Sequence, residues 1–250
     1  MFQGFYNLAS SVLTQTRNLN VISNNMANVA TPGYKSDEAI IKTFHEEMVY
    51  RNGNTNKSNP VQIGERALMV GVDRNYTDYT QGTIQPTTSP LDMALMEAGF
   101  FVINTDDGTG YTRNGSFSLD EEGYLSLQGM GRVQGTNGDI FLGTDQINVS
   151  SNGTIFHAET GAVMGRISVV DFNDYDEDLV KSNGDVYIAT GEPEVVERTM
   201  MQKALEGSNA NPIKEMTAMM ASQRTMQSSA QLLSMYDQLT AKIVSQLGPR

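Results

Sequence analysis

Two long amphipathic segments, one at each end of the chain, constrain this sequence most, because neither can bury its apolar stripe alone. In the first, Phe5, Leu8, Val12, Leu19, Ile22, Met26 and Val29 follow a 3–4 spacing broken only at Gln15. That is a heptad seam on a helix. The helix is expected to stop before Thr31-Pro32-Gly33, since a residue preceding proline avoids the α region and glycine breaks the run. In the last segment, Asn211 is placed to cap a helix and Pro212 to open it, its fixed φ suiting the first turn. Nothing then breaks the helix before Gly248-Pro249. Met216, Met219, Met226, Ala230, Leu233, Val244 and Leu247 share a seam that Leu232, Met235, Tyr236, Leu239 and Ile243 broaden and Gln223, Asp237 and Thr240 interrupt. At about 1.5 Å per residue, roughly 25 and 36 residues make rods on the order of 40 and 54 Å. The average globular helix has about 11–12 residues. Rods of this length need partners, either each other or other subunits.

The middle differs in kind. From Met69 to Arg198, short strand-like runs alternate with turn signals: Phe100–Asn104, Gly123–Leu127, Ile140–Leu142, Gly153–His157, Arg166–Val170 and Val186–Ala189. Asn-Gly recurs at 114–115, 137–138, 152–153 and 183–184, beside Asp107-Gly108. These pairs tolerate φ > 0 and are strong hairpin signals. The expected fold is a mostly β central domain, an antiparallel irregular sandwich or barrel, with a coiled-coil pair of long terminal helices. The expected divisions are terminal helices over 1–33 and 208–250, a linker over 34–68 and an all-β domain over 69–207. Asp37–Tyr50 reads as a short helix or a strand, and Arg51–Pro60 as a mobile polar loop.

Charge follows the same division. Seventeen Lys and Arg against twenty-nine Asp and Glu give a net −12. Residues 1–35 carry +2, residues 204–250 carry +1, and the centre carries −15. This argues against a nucleic-acid binder, which needs a basic face. With no Cys, disulfides, thiolate metal sites and cysteine nucleophiles are excluded. No apolar run approaches the roughly 18–20 residues that span a bilayer. The N-terminus lacks the charged start and apolar block of a cleavable signal peptide.

The candidate chemical sites are weak. Asp171-Phe-Asn173-Asp174-Tyr-Asp176-Glu177-Asp178 is rich in oxygen ligands. Counted as a calcium loop from Asp171, it has Asp176 where glycine is needed and Ser182 where glutamate is needed. Gly129-Met-Gly131-Arg-Val-Gln-Gly135 is one residue too long for a dinucleotide loop and no helix pattern follows it, so it reads as a glycine-rich β turn. Asp92, Asp106-Asp107 and Glu121-Glu122 offer carboxylates without a defined pair. His45 and His157 are the only histidines, far apart in sequence. No catalytic, metal or cofactor site is expected. The methionines of the last helix offer an adaptable surface that can repack against non-identical neighbours, or an ordinary coiled-coil core.

Four ordered segments carry a resemblance. Asn24-Asn25-Met26-Ala27-Asn28-Val29-Ala30-Thr31-Pro32-Gly33-Tyr34-Lys35 closely resembles the N-terminal signature of bacterial flagellar rod and hook proteins. Pro90–Val102 is similar to their PLD…GFFV segment, with Ala98 where glycine is usual. Tyr111-Thr-Arg113-Asn-Gly115-Ser-Phe117, with Asp120, Gly123 and Leu125, is similar to their YTRxGxF segment. Leu205-Glu-Gly207-Ser-Asn209-Ala-Asn211-Pro212, followed by Met216 and Gln223-Arg224, resembles their C-terminal helix start.

The resemblance implies a non-enzymatic structural subunit, exported without cleavage through the flagellar type III apparatus. It implies terminal helices that pair and stack with copies and neighbouring rod or hook subunits into a tubular axial structure, with the β domain outside the tube. The assembly residues are then the seam positions named above. The chain length favours a rod protein carrying one β domain, the proximal kind ahead of the distal, over a hook protein with its larger middle. The rivals are a cell-envelope enzyme such as a wall hydrolase, which needs a cleft carboxylate pair, and a membrane-surface protein, for which the ends carry few basic residues.

Overall fold

The computed structural model describes residues 2–51, 61–105, 108–183 and 185–247. The helices are α1 (Phe2–Ala27), a single turn α2 (Tyr175–Asp178) and α3 (Pro212–Leu247). The chain forms two compact units. One comprises Met1–Met26, Asp37–Tyr76 and Pro212–Arg250; the other comprises Ala27–Ser36 and Thr77–Asn211.

In the first unit, α1 and α3 accompany a two-stranded ribbon of β1 (Asp37–Arg51) and β2 (Val61–Thr77). The choice left open for Asp37–Tyr50 thus falls to a strand. Lys42 Nζ lies 2.5 Å from Asp73, and the Phe44 ring covers Gly71. The expected polar loop lies, from residue 52 onward, outside the described residues. The ribbon leaves Ile41, Phe44, Met48, Ile63 and Met69 exposed. A lone two-stranded hairpin is marginal in water. Here α1 braces it: the Thr14 hydroxyl donates to the Val70 carbonyl at 3.1 Å, and the Val70 amide donates to the Ser10 hydroxyl at 3.4 Å.

The second unit is built on a sheet whose main path runs Leu179–Asn183, Val186–Ala189, Gly108–Thr112, Phe100–Thr105, Gly131–Gly135, Leu125–Leu127 and Phe117–Leu119. Its order is linear, so the expected barrel does not close. Phe100–Thr105 is the central strand. Because side chains alternate across a strand, Phe101 and Ile103 enter one apolar cluster and Phe100 and Val102 the other. Burial on both faces explains a continuous apolar run where a one-sided strand would alternate. Ile140–Leu142, expected as a strand, makes only an isolated bridge between Phe141 and Tyr124, although Ile140 and Leu142 are buried. Arg166–Val170 splits between two strands, Val163–Arg166 and Val169–Asp171. Asn137-Gly138 and Asn152-Gly153 do sit at hairpin turns. Asn114-Gly115 does not: a Cβ at Gly115 would collide with the Met93 carbonyl, so this glycine permits close backbone approach.

Phe101 is fully buried and stacks edge-to-face on Phe117 at 5.2 Å. Phe101→Ala is expected to cost about 3–5 kcal/mol in denaturant unfolding. Val163→Ala, at a side chain 65% exposed, should stay within about 0.5 kcal/mol of wild type.

Candidate assembly site

The terminal helices meet in opposite chain directions. The Asn25 amide donates to Glu215 Oε1 at 3.4 Å. The Asn18 amide donates to the Ser222 hydroxyl at 3.0 Å. Gly4 lies beneath Tyr236, whose hydroxyl would be 2.6 Å from a Cβ placed there. Among the described side chains, the buried positions of α1 are Thr14, Val21, Ile22 and Asn25, and those of α3 are Glu215, Ser222 and Ser229.

Against that line, the heptad positions read from the sequence spread over several environments. Ile22 is buried, while Leu8, Val12, Leu19, Met26, Met219, Met226, Leu233 and Ile243 are half-buried. Phe5, Met216 and Leu239 are exposed. Val29 is half-buried in the turn after α1, and the Leu247 side chain lies outside the described residues. Exposed apolar residues on α3 form two patches of 3–4 spacing, Ile213/Met216/Met220 and Leu232/Met235/Leu239, with Tyr6 and Leu13 exposed on α1.

The signature segment serves both units. Asn24 is exposed, whereas Asn25 is 2% exposed. Asn25 donates to the Asp37 carbonyl at 2.8 Å and accepts from the Asp37 amide at 3.0 Å. One side chain thereby ties the end of α1 to the start of β1 and to α3. In the other unit, Asn28 accepts from the Thr31 hydroxyl at 3.1 Å, turning the chain through the half-buried Thr31 and Pro32. Gly33 holds φ +69, and a Cβ there would strike the Arg113–Asn114 peptide. Its amide donates to the Glu206 carbonyl at 2.7 Å. Tyr34 is buried beneath the Lys181 ammonium, 4.0 Å from its ring centroid.

Beside Tyr34 lies a buried charge cluster that the motif reading quoted without giving it a role. Lys35 Nζ is 2.6 Å from Glu206 Oε1 and donates to the Thr80 carbonyl at 2.7 Å. Both side chains are 1% exposed. The Gly82 amide also donates to Glu206 Oε1, at 3.0 Å, and Arg113 lies 3.7 Å from Glu206 Oε2. Burial lowers the Lys35 pKa, and the Glu206 carboxylate opposes that shift. Asn209 completes the knot, accepting from the Ser36 amide at 2.8 Å and donating to the Asp78 carbonyl at 2.7 Å. The segments around 33–35, 113 and 206–209, far apart in sequence, converge here.

The chemical candidates resolve into local structure. Asp174 caps α2 by accepting from the Asp176 amide, and Asp171 pairs with Arg198 at 2.7 Å. His157 Nδ1 accepts from the Glu159 amide within its own turn. Gly129 lies in a β turn closed by the Met130 amide on the Leu127 carbonyl, and Gly131–Gly135 is the strand that follows.

Three family models match the chain. They are described as "Flagella basal body rod protein" over residues 5–35, "Flagellar hook protein FlgE/F/G D1 domain" over 94–188, and "Flagellar basal body rod FlgEFG protein C-terminal" over 201–247. The flagellar basal-body rod protein FlgG of Buchnera aphidicola is 30% identical, over 92% of this chain and 94% of the relative. The chain belongs to the flagellar basal-body rod protein family. The flagellar basal-body rod protein FlgF of Caulobacter vibrioides is 29% identical over 96% of this chain and 95% of its own length. The flagellar hook-basal body complex protein FlhO of Bacillus subtilis is 26% identical over 99% of both. The buried knot therefore joins residues from all three regions that the rod-family models match or flank.

Two predictions follow from the geometry of this rod-family chain. Glu206→Ala strands a buried ammonium and is expected to cost about 3–5 kcal/mol, while Lys35→Met with Glu206→Leu recovers most of that loss; denaturant unfolding of the four-variant cycle checks both. Burial raises the Glu215 pKa above its ordinary 4.5, against the Asn25 hydrogen bond and Lys214, with Glu38 adding to the rise. The folded state then binds more protons than the unfolded one in that window, so Glu215 favours folding below about 4.5 and loses that contribution as pH rises. The stability gap between wild type and Glu215→Gln should widen from pH about 4.5 to neutrality when unfolding is followed by helical circular dichroism.

Proposed function

We propose that this protein is a non-enzymatic structural subunit of the flagellar basal-body rod, polymerising with its own copies and with neighbouring rod or hook subunits through its terminal helices. The observation that carries this reading is the set of large apolar side chains left exposed on both helices, above all Leu232, Met235 and Leu239. Exposed apolar patches on 3–4 spacing are the form that helix-to-helix docking takes. The hydrogen bonds between α1 and α3 within one chain join polar side chains, and these apolar patches stay exposed beside them. The pair is read as a coiled coil that stacks into an axial tube. A lone amphipathic helix is marginal in water, so ordering of the ends is coupled to joining the polymer. That coupling suits a chain threaded unfolded through a type III export apparatus. Within the rod we assign the proximal segment, on the LEGSN form and the short passage from Lys35 into β1 at Asp37. The family membership of the chain supports the basal body as its location.

Leu232→Asp with Leu239→Asp is expected to abolish assembly, followed by sedimentation and by recovery of motility in a strain lacking the gene. Both positions are exposed, so the helical signal of the monomer should be unchanged. Polymer formed by the double variant would exclude this face. Gold-labelled subunit in isolated basal bodies should lie next to the membrane-embedded ring; label beside the hook would assign the distal segment.

A further inference from the structure

Three of the contacts between the helices share a numerical regularity. Asn25 meets Glu215, Asn18 meets Ser222, and Gly4 meets Tyr236. The positions on α1 fall on a seven-residue repeat through 4, 11, 18 and 25, and those on α3 on the matching repeat through 215, 222, 229 and 236. Ser11 and Ser229 occupy the remaining rung, and Ser229 is buried. The repeat lies one residue away from the apolar positions Phe5, Val12, Leu19 and Met26, and every side chain on it except Tyr236 is polar or small.

We infer that these rungs are positioning residues that select one antiparallel register for the helix pair. An apolar seam is indifferent to a slip of one heptad, since Leu packs on Leu equally well after the shift. A hydrogen-bonded rung is not indifferent. A slip of seven residues moves the helices by about 10 Å and brings Asn18 opposite Ser229 or Glu215, with Gly4 no longer under the Tyr236 ring. Asn25 is anchored independently by its two bonds to the Asp37 backbone, so its rung with Glu215 fixes α3 against the ribbon as well as against α1. Polar seam positions in paired helices specify alignment at a cost in stability. The use of a single register rests on the assembly reading: a subunit in a repeating polymer must show every neighbour the same face. The register itself is a property of the monomer.

The chain has no cysteine, so introduced pairs report register without background. In the full-length protein, Ser11→Cys with Ser229→Cys marks the observed alignment, and Ser11→Cys with Tyr236→Cys marks a one-heptad slip. With a short bis-alkylating thiol reagent, the first pair should close at least tenfold faster than the second. Adding Asn18→Leu, Ser222→Leu and Glu215→Leu, which removes both hydrogen-bonded rungs, should bring the two rates within about twofold while raising the melting temperature of the helical signal. The exchanged pair Asn18→Ser with Ser222→Asn should restore the tenfold preference. The inference is overturned if the leucine variant keeps the preference, or if it lowers the melting temperature with the preference intact, which is the result of a merely structural contact. Should the leucine variant aggregate, Asn18→Ala, Ser222→Ala and Glu215→Ala make the same comparison, and a retained preference there also overturns it. Failure of wild type to polymerise would count against the assembly reading and leave the register result standing.

Discussion

The β-rich unit depends on a charge taken out of water. Lys35 and Glu206 are each 1% exposed and pair at 2.6 Å, with Arg113 a second, longer partner of Glu206 at 3.7 Å. Removing two ions from water costs several kcal/mol each, and Coulomb attraction offsets that cost only when the remaining donors and acceptors are also satisfied. Here the Thr80 carbonyl and the Gly82 amide supply hydrogen bonds, while Glu206 Oε2 makes none and faces Arg113 at 3.7 Å. A slack version of this site would be worse than an apolar one. The backbone around it is accordingly specified by residues with little freedom: Pro32 sets the approach, Gly33 turns at positive φ, and Asn209 bonds two separate backbone segments. The pair also closes the unit, because Lys35 lies just after its first residues and Glu206 just before its last.

The helical unit follows the opposite economy. Its buried positions are mainly polar, with Val21 and Ile22 the apolar exceptions among the described residues, and its other large apolar side chains are half-buried or exposed. In a self-sufficient helical hairpin those side chains would fill the interface and the surface would be polar. The inversion has a physical consequence. Burial of apolar area supplies most helix-pair stability, at about 25 cal/mol per Å², so withholding it from the intramolecular contact leaves it available between molecules. The methionines fit this role, since a flexible, polarizable side chain packs against neighbours that are not identical.

The sequence was most legible where one physical signal dominated. Proline and glycine placed the helix limits well: α1 ends at Ala27, ahead of Thr31-Pro32, and α3 opens on Pro212. Asn-Gly marked the turns at 137–138 and 152–153, because those loops need φ > 0, but misled at 114–115, where the glycine answers to the Met93 carbonyl across space. Alternation found buried residues more surely than strands, as Ile140 and Leu142 show. The ribbon strand Val61–Thr77 was not legible at all. Ile63, Met69 and Tyr76 are exposed, and Gly64, Arg66, Gly71 and Asp73 dilute any period of two. At the site, the family-like motifs contain Lys35, Arg113 and Glu206 without marking them as a cluster, because local spacing holds no information that 35 and 206 touch.

Distance along the chain explains why the two halves of the signature do different work. Asn25 acts within the helical unit, while Gly33, Tyr34 and Lys35 act within the β unit, and only Met26 to Gly33 separates them. A change at either end of so short a segment is felt in the unit it serves by a specific route: a lost amide bridge between α1, β1 and α3 on one side, an unpaired buried ammonium on the other. Neither loss resembles the loss of an exposed apolar patch, which leaves the monomer folded and removes only what it could dock against. The three kinds of residue are therefore separable by experiment, because loss of the first loosens the helices, loss of the second unfolds the β unit, and loss of the third, on the proposed function, removes docking alone.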